Sequence, residues 1–237
     1  MPPMAVPKIH YNFVKSPLGD GMESFMKTPN EIHLWGKKIL VDKSPVVFSY
    51  NPSEDWLDHF EILSGEWKCE RGYLIGAERK STAALIVTKR DFGRDILFSF
   101  TMRAVPPATR DLNALFYAQV NEERNWIGES YVSGVNGWYE HRSGIERDEA
   151  DGTVSLYSST ALYKYETGKE LRFDIGCING HSFMMVDGEM ITELQDPNPL
   201  KPGKVGFSAY CTMLEIKDIE VRDLYWEEFP QEYESEF

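Results

Sequence analysis

The feature that most limits the fold is the punctuation of the chain: short runs of alternating apolar and polar residues, each closed by a two-residue turn. The run ending at Ile178 meets Asn179-Gly180, His181 to Val186 returns from it, and Asp187-Gly188 opens the next turn. Asn-Gly and Asp-Gly reach the positive φ angles of tight hairpins at little steric cost, so these pairs predict consecutive antiparallel strands. Ser64-Gly65, Arg71-Gly72 and Asp151-Gly152 punctuate the chain in the same way. Roughly a dozen short β runs with no convincing long helix predict an all-β fold, a two-sheet antiparallel β-sandwich. No repeat period is visible, which argues against a propeller.

Individual runs sharpen this reading. Ile96, Phe98, Phe100 and Met102 alternate with polar residues, Leu97 apart, as in a strand with one buried face. Ala83 to Thr88 is apolar almost throughout, as in a strand buried on both faces. The alternation after Leu214 changes phase at Lys217-Asp218, which predicts a bulge. Pro2, Pro3, Pro7, Pro17 and Pro29 make the first 30 residues an irregular arm. A helical turn is expected near residues 51–57, with Ser53 as its cap. The 237 residues therefore divide into an arm with the first strands packed on the sandwich (1–58), the sandwich (59–225) and an acidic tail (226–237), in one structural domain.

The formal net charge is −13 and no basic stripe is visible, so nucleic acid and anionic membrane surfaces are not expected partners. Cys69, Cys177 and Cys211 are odd in number and far apart; all three are expected as buried apolar side chains in strands. His10, His33, His59 and His181 lack ligand spacing, and there is no Gly-rich phosphate loop or Gly-x-Ser-x-Gly elbow. No metal or cofactor is expected. The first residues lack the positive-then-apolar order of a signal peptide, so, taken as the native start, they place the chain in the cytoplasm. Nothing in the sequence fixes an oligomeric state.

Asn113 to Asp148 mixes aromatics, carboxylates, arginines and a histidine more densely than any other window. Read as one strand, residues 137–147 put Trp138, Glu140, Arg142 and Glu146 on one face, with Tyr139, His141, Ser143, Ile145 and Arg147 on the other. A face of Trp, two Glu and Arg makes a poor core and a plausible wall for a cleft gripping a small saccharide or glycoside. The bland alternative is an edge strand with cross-strand ion pairs. Glycosidic cleavage usually needs two carboxyl groups, and a histidine can exchange protons near neutral pH. Glu140, Glu146 and His141 are therefore the catalytic candidates. Asn113, Trp126, Glu129, Trp138, Tyr139, Arg142 and Arg147 are the substrate-binding candidates, the aromatics as stacking surfaces and Glu129 as a possible second carboxylate.

Residues 60–76, beginning Phe-Glu-Ile-Leu-Ser-Gly-Glu-Trp, resemble the opening of concanavalin A-like jelly-roll domains of the 3-keto-disaccharide hydrolase-like group. Residues 85–103 resemble the next strand pair, residues 113–118 the strand leading into the site, and residues 203–207 with 214–221 the closing pair. The likeness spans roughly Phe60 to Leu224. It departs at residues 114–118, which lack the family's Ser-Gly and terminal Arg, and the Glu-x-Asp-x-x-Glu strand of laminarinase-type glucanases is absent. The resemblance implies a carbohydrate-facing jelly roll. Two functions follow as expectations: cleavage of a glycosidic bond by hydrolysis or elimination, with 3-keto-glycosides among the candidate substrates, or carbohydrate binding without catalysis, as a module or accessory subunit.

Overall fold

A computed structural model describes residues 28–78, 82–138 and 141–230. Two antiparallel sheets pack face to face. The first has seven strands in the order Val154–Thr160, Arg142–Asp148, Ser130–Trp138, Leu112–Ala118, Lys204–Tyr210, Ala83–Thr88 and Phe60–Ser64. The second runs Glu189–Gln195, His181–Val186, Leu171–Ile178, Ile96–Ala104, Met213–Asp223, Tyr73–Ala77 and Glu66–Glu70, with Val46–Tyr50 paired to the far half of Met213–Asp223. The expected all-β sandwich is the observed fold. Phe98, Phe100, Phe173 and Phe207 interlock between the sheets with centroid separations of 4.7–5.4 Å across neighbouring pairs, and all four are buried. Alternation places these rings inward because each strand gives every second side chain to the shared core.

The predicted turns are present. Asn179 and Gly180 have φ of 47° and 82° and join Leu171–Ile178 to His181–Val186. Asp187 and Gly188 repeat the geometry at 52° and 82°. The expected bulge appears as a register shift between Lys217 and Glu220, with Asp218 at φ 52°. A three-stranded sheet of Glu31–Leu34, Lys37–Leu40 and Trp226–Glu228 covers the outer face of the eight-stranded sheet. It buries Ile32, Leu34 and Ile39 against Leu97, Ile178 and Phe183. Leu97 breaks the alternation of its strand because this second core lies behind it.

Some local expectations are corrected. Residues 137–147 are a hairpin and not one strand: Ser130–Trp138 ends, His141 takes φ 56° in the turn, and Arg142 pairs back onto Trp138. The nearby Asn136-Gly137 pair does not make the turn: Asn136, at φ 60°, sits in the register shift between Gly134 and Trp138, and the chain reverses after Trp138. Cys177 is buried, but Cys69 is half-buried and Cys211 is exposed at φ 51° in the turn after Lys204–Tyr210, because that run stops one residue before it. The helical turn is Trp56–His59, entered through Asp55; Ser53 does not cap it and instead hydrogen-bonds the Asp55 carboxylate and Tyr50. The irregular-arm expectation for residues 1–27 and the last residues of the tail lie outside the described residues.

Candidate functional site

A cleft of about 300 Å³ opens on the outer face of the seven-stranded sheet. Strand alternation builds it. Leu112, Ala114 and Phe116 point into the sandwich core, so Asn113 and Leu115 face outward and line the cleft. One row across the floor consists of Gly144, Gly134, Asn113 and Ser208, consecutive cross-strand partners. The glycine at 134 is required by close approach: a Cβ there would lie 2.0 Å from Asn113 Oδ1 and 2.9 Å from the Leu112 carbonyl oxygen. Gly137 gives way to the same amide, its Cβ position lying 2.7 Å from that oxygen. The Asn113 side chain therefore lies over two glycines, in space no other residue could yield.

The next floor pairs are Glu146 with Val132 and Asp148 with Ser130. Trp126, 38% exposed, stands on the short Trp126–Ile127 strand above one wall, and Tyr210, 39% exposed, lines the cleft from the Lys204–Tyr210 strand. These two half-open aromatic rings share the cleft lining with the carboxylates of Asp111, Glu146 and Asp148, offering apolar bodies with polar tips.

Three buried polar atoms in this cleft have no hydrogen-bond partner in the protein: Asn113 Oδ1, Ser130 Oγ and Asp148 Oδ1. Buried polar groups are normally paired, so three such atoms in one cleft mark a surface shaped for a ligand's donors. Burial, followed by the like charges of Glu146 and Glu149, pushes the Asp148 carboxyl up to about 7. Asp148 thus holds a proton close to neutral pH beside a second carboxylate. Burial also raises the Asp111 carboxyl, opposed chiefly by Arg110, whose Nε donates to Asp111 Oδ2 at 2.6 Å. Asp111 and Asn136 hold φ of 61° and 60°, and the Asp111 amide donates to the Asn136 carbonyl. Left-handed backbone at non-glycine residues costs energy and tends to gather at functional surfaces.

The sequence candidates separate on this geometry. Asn113, Trp126 and Glu146 line one cleft. His141 is exposed in the hairpin turn, where its charge is felt by Asp111. Arg142 is held by the neighbouring strand, donating from Nε to Ser159 Oγ and from Nη2 to the Ser159 carbonyl, both at 2.9 Å. Arg147 turns to the opposite face and is bound by Asp196 at 2.7 Å, the Asn198 carbonyl at 2.6 Å and Glu149 at 2.9 Å. Tyr131 donates to the same Asp196 oxygen at 2.7 Å, and Arg147 therefore braces a loop instead of facing the cleft. Glu129 lies in the bend before Ser130 and is not among the cleft residues. Tyr139, Glu140 and the side chain of Trp138 lie outside the described residues. Among the described residues no group of three His, Cys, Asp or Glu side chains is placed to hold a metal ion.

Sequence reasoning missed Asp148, Asp111, Ser130 and Tyr210. Asp148 carried a signal, since it shares strand phase with Glu146 two residues earlier. Asp111 carried the same kind of signal, two residues before Asn113, whereas Tyr210 carried none, because it reaches the cleft from a segment distant in sequence.

Fold and cleft together define the class: a galectin-like, concanavalin A-like jelly roll with an open site on its seven-stranded sheet. No protein-family model matches the chain, and no curated protein matches it. Solved structures do. A Bacillus subtilis protein of unknown function with a galectin-like fold is 12% identical, covers 77% of this chain and 98% of its own, and has a TM-score of 0.60. A Bacillus subtilis carbohydrate-binding module of family 66 is 12% identical over 69% of this chain and 95% of its own, with a TM-score of 0.56. A β-1,3-1,4-glucanase from a mouse hindgut metagenome is 13% identical over 74% of this chain and 98% of its own, with a TM-score of 0.53. At these identities the likeness is one of fold.

Proposed function

We propose that the cleft binds a saccharide and that Asp148 and Glu146 act on its glycosidic bond as acid and base. The observation that carries this is the Asp148 carboxyl, held protonated to about neutral pH by burial and by Glu146, within a cleft whose buried acceptors lack protein partners. Two carboxyl groups whose environments separate their protonation states are the arrangement that glycosidic cleavage uses. Asp148 would give its proton to the leaving oxygen. Glu146 would take one, from water in a hydrolysis or from a carbon-bound position next to a keto group in an elimination. Trp126 and Tyr210 would hold the sugar's C–H face, and Asn113 and Ser130 its hydroxyls.

A second reading is binding without turnover. It is supported by the carbohydrate-binding module among the similar folds and by the two half-exposed rings, which suffice for capture. The discriminating measurement is product formation from a panel of glycosides and 3-keto-glycosides. Turnover by the native protein, lost in both Glu146→Gln and Asp148→Asn while binding and folding persist, supports cleavage. Saturable binding with no product from any member of the panel supports the module reading.

A further inference from the structure

The cleft is bounded on one side by the edge of its own sheet. Val154–Thr160 is that edge strand, next to Arg142–Asp148. On its inner side Leu156 packs against the sandwich core, and Ser158 shares a hydrogen bond of 2.7 Å with Thr192 of the opposite sheet. On its outer side Tyr157 is the cross-strand partner of Glu146, and Val154, shifted by a bulge, is the partner of Asp148. Cross-strand partners share a face, so both side chains stand on the face that carries the cleft. Tyr157 is 69% exposed and Val154 49%.

Close backbone approaches bend this face into a trough. The Ser158 carbonyl oxygen lies where a Cβ at Gly144 would go, and the Ile86 carbonyl oxygen where one at Gly206 would go. The Leu112 carbonyl oxygen is 2.9 Å from the same position at Gly134. All three glycines belong to rows that face the cleft, so their neighbouring strands fold toward it and the sheet curves around it. The edge strand is thereby lifted beside the cleft with Tyr157 on the rim. Four strand steps separate Tyr157 from Tyr210, up to about 19 Å at the usual spacing of paired strands.

This edge also differs chemically from the other ends of the two sheets. Sheet edges normally carry charge or proline, which discourages pairing with other chains. Phe60–Ser64 has Glu61, Glu66–Glu70 has two glutamates and a lysine, and Glu189–Gln195 has two glutamates. Val154–Thr160 has neither charge nor proline, in a chain of which 27% is charged. Strand addition to such an edge would use backbone groups in the plane of the sheet, whereas the Tyr157 ring rises from the cleft face. A second copy would also bring another −13 of charge to the contact. The face on which Tyr157 stands thus favours a ligand lying in the trough.

We infer that Tyr157 is a sugar-stacking residue at the outer end of the cleft, and that the ligand is an oligosaccharide of at least three units laid across the strands. This rests on the saccharide reading of the site and adds a subsite to it. Trp126 and Tyr210 hold the inner rings in the cleft of about 300 Å³, and the span to Tyr157 is longer than two sugar rings. The test is calorimetric titration of the full chain with gluco-, manno-, galacto- and fructo-oligosaccharides of two to six units, beside sedimentation velocity of the same samples. In the series that binds, the four-unit member is expected to bind about tenfold more tightly than the two-unit member, the size of one aromatic contact. Tyr157→Ala should remove that gain and leave two-unit affinity unchanged, and Tyr157→Trp should keep it. Trp126→Ala should weaken every member. Equal affinity across lengths in the native protein overturns the inference and leaves the saccharide reading standing, as does an unchanged four-unit affinity in Tyr157→Ala. A dimer that Tyr157→Ala dissolves also overturns it, because the ring then serves a second copy. If no member binds while circular dichroism shows the native fold, the saccharide reading falls and this inference falls with it.

Discussion

Replacing Asp148 by Asn should stabilise the protein, and by an amount that grows with pH. The Asp148 carboxyl has an ordinary value of 3.8 and is pushed up to about 7 in the fold. A carboxyl raised on folding imposes no penalty below its unfolded value, where it is protonated in both states. Between about 4 and 7 the unfolded chain ionises while the folded chain keeps its proton, so native stability falls as pH rises. Above about 7 the full penalty is present and constant. A gap of about three pH units at about 1.4 kcal/mol per unit is worth about 4 kcal/mol. Integrated between pH 5 and pH 8, the part that changes is about 2.5 kcal/mol. Urea unfolding of native protein and Asp148→Asn at both pH values measures it. The advantage of the variant should widen by about 2.5 kcal/mol, or roughly 5–10 °C in melting midpoint for a chain of this size. Parallel stability profiles for the two proteins from pH 5 to pH 8 would refute the claim that Asp148 is buried among like charges.

Gly134→Ala forces a methyl group against Asn113 Oδ1 and the Leu112 carbonyl; it should cost about 1–3 kcal/mol in urea unfolding and weaken saccharide binding. Arg147→Ala removes the cation facing a nearly buried Asp196; a loss of about 3 kcal/mol is expected in urea unfolding. Trp126→Ala should lower saccharide affinity roughly tenfold, about 1.4 kcal/mol, while the melting temperature stays within about 2 °C because the ring is partly open to solvent. In native protein a thiol reagent should modify Cys211 quickly and Cys177 only after denaturation, since one is exposed and the other is buried.

The sandwich could be read from the chain because its determinants are local. Alternation with period two fixes which side chains face inward, and Asn179-Gly180 and Asp187-Gly188 fix where strands reverse. The reversal between Trp138 and Arg142 was not legible because the Asn-Gly pair beside it, Asn136-Gly137, lies within the preceding strand. Leu97 breaks the alternation of its strand because a second core lies behind that sheet, and no local pattern announces such a core.

An antiparallel all-β fold, the bulge near Asp218 and a window around residues 113–148 rich in groups for polar chemistry were all legible in the chain. Those follow from neighbours along the chain, whose spacing sets direction and phase. It takes the assembled sheets to bring Asn113, Trp126 and Glu146 into one cleft, to add Asp111, Ser130, Asp148 and Tyr210 to it, and to set Arg147 against Asp196. The reason is physical. Proton affinity and unsatisfied hydrogen bonding depend on burial and on charges brought near by strand pairing across long sequence separations, and neither is a property of a residue type.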